Sequence, residues 1–135
     1  ASGQWYTSAA DGRIAHGARD DMAVAIAAGL ASGDTESTTY TLTGPQAYTV
    51  AEIAALVTDV TGRPIEVVQL SDEALTDGLT AAGVPSDFAP VVVSFDTNTR
   101  SGRIGMVTDA IETLSGKKPQ SLKQFLEANK AMLAG

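Results

Sequence analysis

The most constraining feature of this sequence is a helix-length segment near its beginning that has almost no polar face. A helix is predicted from Asp20 or Asp21 to about Ala31, because acidic residues suit a helix start and Gly33 follows its end. Apolar residues of this helix lie on all of its sides: Met22, Ala23, Val24, Ala25, Ile26, Ala27, Ala28 and Leu30. A helix that is apolar on all sides is normally buried from several directions. Either this alanine-rich helix tolerates partial exposure, or something outside the chain covers it.

Strand and helix patterns alternate along the rest of the chain. Strands are predicted at 4–7, 39–43 and 65–70, with another short strand suggested at 13–16. Helices are predicted at 21–31, 50–61, 71–82, 86–95 and 108–114, and from 121 onward. About three short strands and five to six helices indicate an α/β fold. Three strands are too few for a self-sufficient parallel sheet covered on both faces, so we expect residues 1–135 to be a single portion of a larger sheet protein.

Two capping boxes locate helix starts with particular clarity. Thr49 precedes Glu52 by three residues, and Ser121 precedes Gln124 by the same spacing. The first helix should bury one stripe of side chains: Ile53, Ala54 and Val57. In the helix after Ser86, Phe88 and Phe95 share one face, and core packing is the expectation for both.

Composition excludes several classes of function. Nine basic against sixteen acidic residues give a net charge of −7, which offers no electrostatic footprint for nucleic acid. The absence of cysteine excludes disulfides, thiol nucleophiles and cysteine metal sites, and fits a cytoplasmic location. We expect no membrane partner, because no apolar run is long enough to span a bilayer. The chain begins with Ala1 rather than methionine, so we expect it to have been processed, engineered or cut from a longer product.

No complete active site emerges from the residues alone. A phosphate cradle needs closely spaced glycines between a strand and a helix, and neither Gly102–Gly105 nor Gly12 with Gly17 has that context. His16 is the only histidine, so a two-histidine metal site is impossible, and no metal site is predicted. The paired carboxylates at 20–21 and 72–73 are explained by helix capping and the helix dipole. Catalytic residues therefore stay unknown.

Several stretches, in order, resemble the C-terminal half of the NmrA-like atypical short-chain dehydrogenase/reductases, especially the NAD(P)H:quinone oxidoreductase type. Asp21 matches the aspartate of that family's "R-x-D-x-A" helix start. The other matching segments are Asp11-Gly12-Arg13-Ile14-Ala15, Tyr40-Thr41-Leu42-Thr43-Gly44-Pro45, Thr61-Gly62-Arg63-Pro64-Ile65, Ala82-Gly83-Val84-Pro85 and Leu114-Ser115-Gly116-Lys117-Lys118-Pro119. Ala47-Tyr48-Thr49 and Phe125-Leu126 also match, so the resemblance extends from about residue 11 to residue 127.

The resemblance implies a parent protein with an N-terminal Rossmann half that binds NADPH or NADH and transfers hydride to a quinone or another planar acceptor. That half is missing from this sequence, so no cofactor-binding residue is carried over and no cofactor is expected in this fragment. The C-terminal part would be the substrate side, because ligands bind outside the carboxyl ends of strands in such sheets. A pocket-wall role in substrate binding is predicted for four residues: Trp5, Tyr6, His16 and Arg19.

Other classes of function remain open from the sequence. Some NmrA-like proteins resemble regulators that sense NAD(P) and bind a protein partner without turnover. A free-standing interaction or dimerisation module is the third interpretation, and a homodimer would fit it. We expect the fragment to be inactive alone under the reductase interpretation.

Overall fold

The computed structural model describes residues 3–133, which form four short strands and seven helices. In chain order the elements are β1 (Gln4–Thr7), β2 (Arg13–Ile14), α1 (Arg19–Ala31), β3 (Tyr48–Thr49), α2 (Val50–Thr61), β4 (Glu66–Gln69), α3 (Asp72–Ala81), α4 (Ala89–Arg100), α5 (Ala110–Ser115), α6 (Leu122–Ala128) and α7 (Lys130–Leu133). The α/β class predicted from the sequence is confirmed. Among the described residues, no helix has both the length and the apolar character needed to cross a bilayer.

The described residues fall into two compact units, each with its own core. Unit 1 comprises residues 3–14 and 48–105, and unit 2 comprises residues 15–47 and 106–133. In unit 1, β1 and β4 pair in parallel from Gln4 opposite Glu66 to Thr7 opposite Gln69. The short strands β2 and β3 of the same unit pair antiparallel. The apolar core of unit 1 includes Ala9, Val50, Ile53, Ala54, Val60, Leu75, Ala89 and Val93.

Helix α2 forms as its sequence predicts. The Thr49 hydroxyl accepts a hydrogen bond from the Glu52 N–H at 3.1 Å, and the Glu52 carboxylate accepts one from the Thr49 N–H at 2.8 Å. This capping box satisfies two N–H groups that the helix cannot pair internally. Ile53 and Ala54 are buried and Val57 is partly buried. The prediction of burial is therefore confirmed for Ile53 and Ala54 and met in part for Val57.

Helix α1 of unit 2 is covered on one side only. It packs against α5, and Ala25 is its one buried residue. The exposed fractions of Val24, Ile26 and Leu30 are 49%, 53% and 84%. The sequence predicted that α1 would be buried on more than one face, but the described residues of this chain cover only one face. The second face of α1 is instead an exposed apolar surface.

Two expectations from the sequence are wrong. Thr39–Thr43 belongs to no strand among the described residues, because the alternating pattern predicts extended backbone but cannot supply a pairing partner. Phe88 and Phe95 do not lie in the core, since they are 55% and 62% exposed. The buried residues of α4 are Ala89, Val93 and Thr99, whereas Phe88 is the N-cap residue just before the helix and Phe95 points its ring into solvent-accessible space.

A close backbone approach explains why a glycine occupies position 12. A Cβ atom at Gly12 would overlap the Thr99 carbonyl group, whereas one at Gly78, inside α3, would meet open space. We expect Gly12→Ala to lower the free energy of unfolding by about 1–3 kcal/mol through overpacking. Gly78→Ala should raise it by roughly 0.5–1 kcal/mol, because alanine is the better helix former.

Urea unfolding followed by circular dichroism measures both changes. Equal midpoints for the two variants would show that the approach of residue 12 to α4 does not constrain the fold.

Candidate functional site

The carboxyl ends of the parallel strands β1 and β4 meet at one edge of unit 1. Residues 8–10 follow β1, and Ser71 and Asp72 follow β4. In parallel α/β sheets, ligands bind beside such strand ends. This edge is therefore the candidate ligand-binding site of unit 1.

A carboxylate from α4 closes the end of β1. The Asp96 Oδ2 atom accepts hydrogen bonds from the Thr7 hydroxyl at 2.8 Å and from the Ser8 N–H at 2.7 Å. The Ala9 N–H in turn donates to the Thr7 hydroxyl oxygen at 3.1 Å. Thr7, Ser8 and Ala9 are all buried. The Thr7 hydroxyl and the N–H groups of Ser8 and Ala9 thus have hydrogen-bond partners although no further strand of the described residues lies beside them. Such partners are needed because buried polar groups without a hydrogen bond are costly.

An ion pair holds the start of α3 to the same strand end. The Arg100 guanidinium donates to both Asp72 carboxylate oxygens, Nη1 to Oδ1 at 3.0 Å and Nη2 to Oδ2 at 2.8 Å. Its Nη1 also donates to the Ser8 carbonyl oxygen. Hydrogen bonding from Arg100 is the main cause that lowers the pKa of Asp72 to about 2. The pKa of Arg100 is raised, first by its hydrogen bond with Asp72.

This strand-end network of Thr7, Ser8, Asp72, Asp96 and Arg100 is suited to positioning rather than proton transfer. Asp72 is ionised at neutral pH and cannot serve there as a general acid. The network fixes the chain just before Ala10, whose φ of 50° lies in the left-handed region. Sequence reasoning missed it, although two charged residues on the buried face of α4 were a usable signal.

An open depression of about 530 Å³ lies beside the same loop. It is lined by Ala10, Asp11, Gly12, Arg13, Arg100, Gly102 and Gly105. Both arginines are already engaged, Arg100 with Asp72 and Arg13 with Glu52 at 2.9 Å. A ligand in this depression would therefore contact small side chains and backbone. Both guanidinium groups that line it are already paired with carboxylates.

The structure places the two predicted aromatic residues on β1 of unit 1. Trp5 is half-buried, and Tyr6, on the other face of the strand, is 48% exposed. The Tyr6 hydroxyl donates to the Gln4 side-chain oxygen at 2.6 Å. Tyr6 is exposed and Trp5 is partly exposed, and their substrate-binding role stays a prediction.

His16 and Arg19 belong to unit 2. His16 lies in the loop before α1; much of its surface is exposed, yet partial burial of the ring lowers its pKa and favours the neutral imidazole. Its carbonyl oxygen abuts Gly44 so closely that a Cβ atom there would overlap it. Arg19 is the exposed first residue of α1. The pocket-wall role of both residues also remains a prediction.

Asp21 has a structural role that sequence reasoning missed. Its carboxylate accepts a hydrogen bond at 2.7 Å from the Gln120 N–H, just before α6. The helix cap at Ala18 involves no side-chain hydrogen bond. Asp21 therefore joins the first turn of α1 to the closing segment of unit 2, which is a stronger reason for an aspartate there than the helix dipole.

Metal chemistry finds no support in the described part of the chain. No group of three or more histidine, cysteine, aspartate or glutamate side chains is arranged there to hold a metal ion. The strand-end network brings together only two carboxylates, and an arginine engages one of them.

Curated relatives align with almost the whole chain but with less than half of their own length. No protein-family model matches. The uncharacterized oxidoreductase YesF of Bacillus subtilis is 31% identical over 129 residues, covering 96% of this chain and 45% of YesF. The NAD(P)H azoreductase of Xenophilus azovorans is 28% identical, with the same coverage. Quinone oxidoreductase 2 of Escherichia coli is 30% identical over 84% of this chain and 38% of its own.

Solved structures give the same result. Triphenylmethane reductase of Citrobacter, complexed with NADP(H), superposes with a TM-score of 0.84 at 28% identity, covering 94% of this chain and 44% of the reductase. The NADPH complex of Escherichia coli quinone oxidoreductase QOR2 superposes with a TM-score of 0.86 at 25% identity, covering 98% and 46%.

The fold defined by these alignments is part of a Rossmann-type reductase. Within that class, the chain corresponds to the C-terminal half of the NmrA-like NAD(P)H oxidoreductases, which confirms the resemblance carried by the sequence motifs. The chain spans about 45% of the length of the relatives it matches.

The hydrogen bond from Gln120 to Asp21 can be tested by removing the carboxylate. Asp21→Ala leaves a partly buried N–H without its partner, so we expect a loss of about 1–3 kcal/mol in the free energy of unfolding. Asp20→Ala is the matched control, because Asp20 is exposed in the same helical turn, and its effect should stay within about 0.5 kcal/mol. Chemical denaturation of both variants measures the difference. Equal losses of unfolding free energy in the two variants would show that Asp21 acts only through the helix dipole.

The Asp72–Arg100 pair predicts a specific response to acid. The folded pKa of Asp72 is about 2, below its ordinary value of 3.8, so the folded state favours the ionised form. The stabilisation is fully present above about pH 4 and is lost as pH falls from about 4 towards 2. In Arg100→Ala the pKa of Asp72 should move back towards 3.8 and this acid dependence should shrink.

Side-chain carboxyl chemical shifts followed by NMR report the titration of Asp72 directly. Arg103→Ala is the control, since Arg103 is an exposed arginine just beyond α4. An Asp72 titration that is identical in the wild type and in Arg100→Ala would contradict the assigned cause.

Proposed function

We propose that this chain is the substrate-side portion of an NAD(P)H-dependent oxidoreductase that reduces a quinone or a similar conjugated acceptor. One observation carries the proposal: nearly the whole chain aligns, in sequence and in fold, with one half of reductases of this kind. The named acceptors of those relatives are a quinone, azo compounds and triphenylmethane dyes. All are conjugated systems that exposed aromatic side chains can contact.

The starts of α1, α2 and α3 do not fit a dinucleotide phosphate. The first turns of α1, α2 and α3 each carry acidic side chains, which repel an anion that would otherwise favour a helix N-terminus. The sequence also lacks a glycine-rich turn between a strand and a helix. We therefore infer that NADPH or NADH, which supplies the hydride when bound, is held by the other half of the complete protein.

The contribution of this chain is to shape and orient the acceptor pocket. The loop after β1 is fixed by Asp96 and Arg100, so its backbone can present a constant surface to a ligand. Trp5 and Tyr6 offer aromatic surface on the preceding strand, and His16 in unit 2 offers a neutral imidazole. We assign these residues, with Arg19, to acceptor binding.

The first test compares the chain alone with a chimaera. In the chimaera, the part of Escherichia coli quinone oxidoreductase 2 that this chain does not match is placed ahead of it. We expect the isolated chain to show no micromolar NADPH binding by Trp5 fluorescence and no quinone-dependent NADPH oxidation. The chimaera should bind NADPH and oxidise it when a quinone is added.

Controls separate binding from turnover. Tyr6→Ala in the chimaera should raise the KM for the quinone severalfold and leave NADPH affinity unchanged, whereas Tyr40→Ala should leave the KM unchanged. NADPH binding by the chimaera without turnover of quinone or dye acceptors would favour the NAD(P)-sensing regulator. Tight NADPH binding by the chain alone would contradict the proposal that the other half of the complete protein holds the dinucleotide.

A further inference from the structure

Three large apolar side chains are exposed along one helix of unit 1. Phe88, Val91 and Phe95 are 55%, 45% and 62% exposed. The Phe88 carbonyl oxygen accepts from the Val92 N–H at 3.2 Å, so the helical turn that begins α4 already includes Phe88. Residues three and four apart lie on the same side of a helix. Phe88, Val91 and Phe95 therefore form a single surface, the α4 stripe.

The α4 stripe lies outside the core of unit 1. The buried residues of α4 are Ala89, Val93 and Thr99. Residues 88–95 include no charged side chain. The solvent-facing side of a helix normally carries polar or charged residues. Because apolar groups gain free energy when they leave water, an uncharged stripe of large side chains is a candidate binding surface.

Hydrogen bonds made by α4 fix the position of the stripe beside the candidate ligand-binding site. Asp96 directly follows Phe95 and accepts from the Thr7 hydroxyl and the Ser8 N–H. Arg100, one turn further along α4, donates to the Ser8 carbonyl oxygen. These contacts anchor α4 to the carboxyl end of β1, the sheet edge where ligands bind in α/β proteins. The helix that carries the stripe is thus part of the framework of that site.

The size of the α4 stripe favours a small molecule over a protein as its occupant. A phenylalanine side chain can bury about 150–250 Å², so two half-exposed phenylalanines and a valine offer on the order of 300 Å². A stable protein interface covers about 800 Å² on each partner. A second copy of this chain would therefore find too little apolar surface here.

The α4 stripe is also elongated. Phe88 and Phe95 are seven residues apart, which corresponds to about 10 Å along the helix axis. Val91, the smallest of the three side chains, lies between the two rings. Aromatic side chains make favourable offset-stacked or edge-to-face contacts with other ring systems. A conjugated molecule with two or more rings can therefore contact both ends of the stripe, whereas a single ring reaches only one end.

We propose that Phe88, Val91 and Phe95 make the protein prefer multi-ring acceptors, by binding the part of the acceptor that lies beyond the ring being reduced. This inference rests on the proposed function and adds the residues that set its acceptor preference. The occupant follows from chemistry, because the stripe is aromatic and uncharged and one group of relatives acts on triphenylmethane dyes, which contain three phenyl rings. The three side chains position the acceptor and take no part in hydride transfer.

Quinone binding to the chain alone tests the stripe without turnover. The probes are dimethylnaphthoquinone, with two rings, and duroquinone, with one ring, both methylated so that amines do not add to the quinone ring. Dimethylnaphthoquinone should shift the Val91 methyl resonances in NMR spectra in a saturable way, and duroquinone should bind about fivefold or more weakly. Equal affinities for the two quinones, or no shift at Val91, would overturn the proposal.

A matched pair of variants checks the position of the binding surface. Phe95→Gln should weaken dimethylnaphthoquinone binding about fivefold, because it removes one ring without touching the core. Phe125→Gln should leave the affinity unchanged, because Phe125 is a 44% exposed phenylalanine of α6, outside the stripe. Equal effects of the two substitutions would contradict the assignment of the stripe.

Steady-state kinetics of the chimaera measure the preference itself. The measured quantity is kcat/KM for dimethylnaphthoquinone divided by kcat/KM for duroquinone, and comparing this ratio between variants cancels the different reactivities of the two quinones. Phe88→Gln and Phe95→Gln should each lower the ratio about fivefold, chiefly through the KM for the two-ring quinone. Phe95→Tyr, which keeps the ring, should preserve the ratio. An unchanged ratio in both glutamine variants would contradict the proposal.

The result is separable from that of the proposed function. Selective binding of the two-ring quinone at Val91, with a chimaera that reduces no acceptor, would support the stripe and contradict the reductase assignment. Turnover with a ratio that Phe88→Gln and Phe95→Gln leave unchanged would do the reverse. Broadening of the Val91 resonances with increasing chain concentration, without quinone, would identify a second copy as the occupant and overturn the proposal.

Discussion

The carboxylate of Asp96 closes a parallel sheet that has only two strands. A pair this small leaves strand ends that neighbouring strands would satisfy in a larger sheet. Here a side chain from α4 takes that place, accepting from Thr7 and Ser8, while Arg100 holds the Ser8 carbonyl group. The position of α4, the start of α3 and the path of the loop after β1 all follow from these contacts. The surface that this edge offers to a ligand is fixed by the same hydrogen bonds.

Local signals in the sequence were sufficient for the starts of α2 and α6, but not for α4, which begins at Ala89 rather than after Ser86. Thr49 and Ser121 predicted their capping boxes, and the stripe through Ile53 and Ala54 predicted the buried face of α2. The alternation at Thr39–Thr43 predicted a strand that the described residues do not form, because no local pattern can say whether a pairing partner is present. Phe88 and Phe95 were misplaced because periodicity shows that two residues share a face without showing which face is buried.

Long-range polar contacts were the least predictable part of the candidate site. Asp96 is 88 residues from Ser8, and Asp21 is 99 residues from Gln120. Each contact depends on the path of the whole unit, so spacing in the sequence carries little information about it. The family resemblance located Asp21 as a recurring residue, and the structure supplies its reason: it holds the backbone at the start of α6. For Trp5, Tyr6, His16 and Arg19, the structure gives the accessibility of the side chains, and binding experiments decide their role.

The contact of Thr108 with Thr41 has a consequence for solubility. A strand with two open edges can recruit one copy after another and grow into a fibre, because each added strand exposes a new edge. In Thr38–Thr43, a threonine side chain occupies one of the two edges. A chance pairing of two such segments through the edge that Thr108 does not contact would therefore end with that pair. One hydroxyl group thus converts a template for open-ended growth into one that stops after a single addition.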